Sequence, residues 1–124
     1  MSLGRVLVVD DEPEVRQLLR DFLSDRGYDI LLAENGLEAL STLDTQRPDL
    51  VLLDMAMPEM DGLETLKRMV MLDPPVPVIM VTANADISLT SKLLAIGAVD
   101  YIPKPFDLDY LDQAVSIQFS AQDR

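Results

Sequence analysis

Polar residues stand where apolar runs end. Asp10 and Asp11 follow Arg5-Val6-Leu7-Val8-Val9, Asp54 follows Leu50-Val51-Leu52-Leu53, Thr82 follows a run over 76–81, and Lys104 comes just after a short run over 99–102. Each has an ordinary use alone: an acid can cap a turn or favour a helix N-terminus, and a threonine can cap the turn that follows it. Together they form a set. Carboxylates brought close repel, so one stays protonated unless a cation neutralises the group. A site of oxygen donors without His or Cys suits a hard ion, Mg²⁺. A threonine hydroxyl and a lysine ammonium suit phosphoryl oxygens. The chemistry these groups fit is phosphoryl transfer to a carboxylate, in which positioning and charge neutralisation supply most of the catalysis.

Bringing them together requires a scaffold that gathers strand ends. The run over 5–9 reads as a central strand covered on both faces. Pro13 suits the first turn of a helix, Val15, Leu18, Leu19, Phe22 and Leu23 recur at helical spacing, and Gly27 closes that helix in the left-handed region. A second strand is expected over 28–33. Asn35-Gly36 then turns the chain into a short helix striped by Leu37, Leu40 and Leu43, which Pro48 stops. The third strand, over 50–53, delivers Asp54. Asp61 with Glu64 forms a capping pair for a helix carrying Leu63, Leu66, Met69 and Val70. A fourth strand is expected over 76–81, with Pro77 tolerable at its start. Asp86 is a candidate cap for a helix carrying Leu89, Leu93, Leu94 and Ile96, closed by Gly97. A fifth strand over 99–102 precedes a last helix that starts near Asp107 and carries Leu108, Leu111, Val115 and Phe119. Strand and helix alternate five times without linker or repeat. That specifies an α/β fold with a doubly wound parallel sheet. The flavodoxin-like (βα)5 order 2-1-3-4-5 is the expected topology; it makes the first and third strands neighbours and puts Asp10, Asp11 and Asp54 at the carboxyl edge, where open α/β sheets bind ligands.

Composition removes other classes. A chain of 124 residues without Cys or His reads as one domain, 1–124, with residues 1–3 either native or added, and has no disulfide framework, thiolate metal site or phosphohistidine. The net charge of −12 argues against direct binding to nucleic acid or anionic lipid, and 48% hydrophobic residues argues against disorder. No run is long enough to span a membrane and no signal peptide is visible, so a cytoplasmic location is expected. A nucleotide-binding or flavin enzyme on such a sheet needs a Gly- or Thr-rich phosphate loop after the first strand; here Asp10-Asp11-Glu12-Pro13 occupies that place and repels phosphate unless a metal intervenes.

With these residues in view, the chain resembles the response-regulator receiver domain of two-component signalling. The resemblance rests on Val8-Val9-Asp10-Asp11-Glu12, Leu53-Asp54-Met55-Ala56-Met57-Pro58 with Asp61-Gly62, Thr82-Ala83, Gly97-Ala98 and Tyr101-Ile102-Pro103-Lys104-Pro105-Phe106. It implies that Asp54 is the phosphoacceptor, taking its group from a phosphohistidine on a sensor histidine kinase or a histidine phosphotransfer protein. It implies that Asp11, Asp54 and the backbone carbonyl of Ala56 bind Mg²⁺, with Asp10 acting through water. Thr82 and Lys104 are implied to hold phosphoryl oxygens, Lys104-Pro105 to be cis, and Tyr101 to be an aromatic switch that moves with Thr82. Ala56 and Asn84 fall where the family tunes phosphoryl lifetime. Such a domain is not an enzyme beyond its own phosphorylation and dephosphorylation. Its switched surface is the fourth helix, fifth strand and fifth helix, where Tyr110 and Ile117 form a second apolar stripe suited to homodimerisation or to an adjoining segment. The alternative is a pseudo-receiver, an interaction module that takes no phosphate.

Overall fold

The strands are short apolar runs with no polar face, so a sheet built from them must be covered on both sides. In the computed structural model, which describes residues 2–57, 60–72, 74–83 and 87–122, the elements are β1 (Arg5–Val9), α1 (Pro13–Asp25), β2 (Asp29–Ala33), α2 (Gly36–Gln46), β3 (Leu50–Asp54), α3 (Gly62–Val70), β4 (Val78–Thr82), α4 (Ile87–Ile96), β5 (Asp100–Pro103) and α5 (Leu108–Gln122). The five strands pair in parallel in the order β2-β1-β3-β4-β5, as the alternating pattern predicts. The two-residue period of the strands sorts the core into two layers. Val6 and Val8 of β1, with Leu50 and Leu52 of β3, pack against Leu19 and Leu23 of α1 and Leu111 and Val115 of α5. Leu7, Val9, Val51 and Leu53 pack the other way, against Leu43 of α2, Leu66 and Met69 of α3, and Leu93 of α4. No helix among the described residues is long and apolar enough to cross a membrane.

The element ends follow local chemistry. Asn35 and Asp61 cap α2 and α3 by accepting from the Glu38 and Glu64 amides. At the end of α1, Gly27 takes φ 101° and the Gly27 and Tyr28 amides bond back to Ser24 and Leu23. This is the paired closure that a left-handed glycine permits. It uses the Tyr28 N–H, so β2 begins at Asp29, one residue later than its hydrophobicity suggests. Pro77 has no N–H to give to a ladder and stays outside β4, although its carbonyl accepts from the Val51 amide.

Three stripe residues expected in the core lie outside it. Leu18 is 44% exposed, Leu37 is 52% exposed and Leu94 is 43% exposed. Helix geometry separates Leu37 from the buried Ala39 by about 200° and Leu94 from the buried Leu93 by about 100°. The inward faces are set by Ala39 with Leu43, and by Leu93 with Leu89 and Ile96. Asp86 and Asn84 lie outside the described residues.

Candidate functional site

The carboxyl edge collects the expected side chains. Asp10 follows β1, Asp54 and Thr82 are the last residues of β3 and β4, and all three are buried. Lys104 follows β5, its backbone N–H donates to the Thr82 carbonyl at 2.8 Å, and its peptide bond to Pro105 is cis. Gly62 lets α3 start directly beneath Asp54. A Cβ there would strike the Asp54 carbonyl and the Met55 backbone, and the Gly62 amide donates to the Met55 carbonyl at 2.8 Å. This glycine thereby holds the Met55-Ala56-Met57 loop against the end of β3.

One ammonium joins the carboxylates. Lys104 Nζ lies 2.9 Å from Asp10 Oδ2, 3.5 Å from Asp54 Oδ1 and 3.5 Å from Glu12 Oε1. Burial works against the charge on Lys104, but Asp10, Asp54 and Glu12 outweigh it and hold the lysine pKa above its ordinary value. Asp54 is 4% exposed. Its pKa is raised to about 6, first by burial and then by the charge of Asp10, against opposing pulls from Lys104 and a backbone hydrogen bond from Ala56. The carboxyl edge is thus a place where negative charge is gathered at a cost and one lysine partly offsets it.

The acidic cluster differs in membership from the sequence expectation. The acids whose oxygens all lie within 4.8 Å of one another are Asp10, Asp11 and Glu12, with Asp10 buried and the other two exposed. Asp54 instead shares the Lys104 ammonium with Asp10. Glu12 joins because the turn into α1 folds its amide back onto Asp10 Oδ1 at 2.9 Å. Sequence reasoning also passed over Arg16, whose guanidinium donates to the Asp10 carbonyl at 2.7 Å. The only signal for it was a basic residue one helical turn beyond Glu12. Ala56 is exposed beside the site, and Tyr101 is half-buried against the α2–α3–α4 layer. The Tyr101 amide donates to Asp100 Oδ1 at 2.8 Å, and the Tyr110 hydroxyl reaches the same oxygen at 3.3 Å.

A five-stranded parallel sheet with acids after its first and third strands and a lysine after its fifth defines a class of phosphotransfer signalling domains. The chain belongs to that class: residues 6–116 match the response regulator receiver domain family. It is 42% identical over 115 residues to sporulation initiation phosphotransferase F of Bacillus subtilis, covering 93% of each chain. It is 42% identical over 114 residues to the regulatory protein AtoC of Escherichia coli, covering 92% of this chain but 25% of that longer protein. Among solved structures, the receiver domain of Francisella response regulator 1452 superimposes with a TM-score of 0.91 at 31% identity, covering 96% of this chain and 98% of that one. The chemotaxis response regulator CheY4 of Vibrio cholerae gives 0.86 at 31% identity, covering 93% and 98%. This is a receiver domain of a two-component response regulator.

Proposed function

We propose that Asp54 accepts a phosphoryl group from a phosphohistidine of a sensor kinase or histidine phosphotransfer protein, in a reaction that requires Mg²⁺. The observation that carries this reading is the buried Asp54 carboxylate held 3.5 Å from Lys104, beside a second buried acid, at the carboxyl edge of the sheet. An Asp54 oxygen attacks phosphorus, the P–O bond forms as the P–N bond breaks, and the imidazole leaves with a proton. The residues present fit a hard divalent ion. Every donor is an oxygen, Asp10, Asp11 and Glu12 converge within 4.8 Å, and the excess negative charge needs a cation. Asp11, Asp54 and the Ala56 carbonyl would hold the ion, with Asp10 acting through water. Such an ion would supply charge neutralisation for the acids and the incoming phosphoryl oxygens. Thr82 and Lys104 hold the remaining phosphoryl oxygens.

The output is a population shift. The Thr82 hydroxyl moves to the phosphoryl group, Tyr101 turns inward, and the α4–β5–α5 surface changes shape. Tyr110 at 38% and Ile117 at 62% exposure lie on that surface, and a second copy of the domain is the partner they fit. The reaction belongs to the cytoplasm, where kinases of this type present phosphohistidine, and the domain spans residues 1–124.

Intact-protein mass after treatment with acetyl phosphate and Mg²⁺ tests the reading. The wild type should gain one phosphoryl group, Asp54→Asn none, and Asp11→Ala little while keeping its fold. Undiminished labelling of Asp54→Asn sinks the assignment. An unlabelled wild type leaves an interaction module that takes no phosphate.

A further inference from the structure

Asp10 is held at every polar atom it has. Its amide donates to the Ala33 carbonyl at 3.1 Å, which extends the pairing of β1 with β2 by one residue. Its Oδ1 accepts from the Glu12 amide at 2.9 Å and its Oδ2 from Lys104 Nζ at 2.9 Å. Its carbonyl accepts from the Arg16 guanidinium at 2.7 Å, a half-buried bond that spans six residues. That last bond ties the end of β1 to the first turns of α1 and encloses Asp11 and Glu12 between its two anchors. Three acids within 4.8 Å of one another repel, so the loop that carries them tends to open.

The two cations that oppose this opening act differently. Lys104 binds carboxylates, for which a metal competes, and its ammonium is what a phosphoryl oxygen competes for. Among the described residues Arg16 bonds only to a backbone carbonyl, which neither of them needs. We infer that Arg16 is a positioning residue: its bond to the Asp10 carbonyl keeps the Asp10-Asp11-Glu12 loop in place while Lys104 changes partner from Asp10 to a phosphoryl oxygen. This rests on the phosphoacceptor reading above for the change of partner, but the anchoring of the loop stands on the hydrogen bonds alone.

Charge and positioning make opposite forecasts. Removing a nearby positive charge favours Mg²⁺, whereas loosening a group that orients metal ligands weakens it, by about tenfold or more for comparable outer-shell partners. The control is Arg20→Gln, which removes the same charge one helical turn further on; Arg20 bonds only to Gln17 among the described residues. Mg²⁺ affinity by calorimetry should fall about tenfold in Arg16→Gln, fall less in Arg16→Lys, and stay at the wild-type value in Arg20→Gln. In metal-free protein the Glu12 amide should exchange with solvent faster in Arg16→Gln than in the wild type, while the urea midpoint of the whole domain changes little. Unchanged or tighter Mg²⁺ binding by Arg16→Gln overturns the inference. Should that variant fail to fold, Arg16→Lys is compared with the wild type by the same two measurements. If the wild type itself binds no Mg²⁺, the metal reading fails, and the Glu12 exchange rate alone decides whether Arg16 anchors the loop.

Discussion

The two edges of the sheet handle charge in opposite ways. At the amino edge, polar groups are matched singly. The Arg5 amide donates to Asp49 Oδ2 at 2.9 Å, the Asp49 amide returns a bond to the Arg5 carbonyl at 2.8 Å, and the Arg5 guanidinium takes the Gln46 carbonyl at the end of α2. Beside them lies an open cleft of about 550 Å³ lined by Leu40, Leu43, Leu72 and the prolines before β4. At the carboxyl edge, Asp10, Glu12 and Asp54 gather around Lys104, and Asp11 lies beside Asp10 and Glu12. One edge closes the fold by tying the Arg5 and Asp49 amides each to a single acceptor. The other keeps an excess of acid that only an added cation can balance. Marginal folding free energies make such an excess expensive, so its presence marks the edge that works on ligands.

The largest expected effect comes from removing the ammonium that joins the carboxylates at the crowded edge. Lys104→Met leaves buried Asp10 without its partner, which costs about 2 kcal/mol of stability in metal-free protein at neutral pH. The same change should slow phosphorylation of Asp54 by about 100-fold, the usual loss when a charge-stabilising donor is removed. Chemical unfolding and the acetyl phosphate mass assay measure the two losses. A variant as stable and as fast as the wild type would mean that Lys104 is not the counter-charge.

Neutralising an acid there should have the reverse effect on stability. The folded-state pKa of Asp54 is raised to about 6 from 3.8, so ionising it disfavours the folded state. The penalty is fully present above the folded value, shrinks as pH falls through about 6, and is gone below the unfolded value. Asp54→Asn should therefore be more stable than the wild type by roughly 2 kcal/mol at pH 8 with a chelator present, with the two converging near pH 4. Urea titrations across that range give the curve. A gap that widens as pH falls would reverse the electrostatic account of the site.

The matched edge should respond differently. Asp49→Ala removes the acceptor of the Arg5 amide and should cost about 1 kcal/mol. Mg²⁺ affinity and Asp54 labelling should remain those of the wild type. A change in either would show that the two edges are coupled.

The smallest effect concerns lifetime. Ala56 is exposed next to Asp54, so an arginine there shields a phosphoryl group from water. Ala56→Arg should slow loss of phosphate by a few-fold, followed as the decay of the phosphorylated mass after the donor is removed. Faster decay refutes shielding.

The alternation of strands and helices, the two-faced apolar runs and the caps at Asp61 and Gly27 were legible in the sequence. They rest on short-range hydrogen bonds and on a period that neighbouring residues share. The positions of Asp10, Asp54, Thr82 and Lys104 at strand ends were legible for the same reason, once a parallel sheet was expected. Which groups touch was not. Lys104 meets Asp10 across 94 residues because β5 and β1 both end at the carboxyl edge and the loops after them fold inward. The entry of Glu12 into the acid cluster, the sharing of Lys104 between Asp54 and Asp10, and the hold of Arg16 on the Asp10 carbonyl depend on loop paths and side-chain directions. The outward turn of Leu37 and Leu94 depends on which helix face meets the sheet. Residue type and spacing carry the local pattern, but a contact between two loops exists only after the strand order has made those loops neighbours.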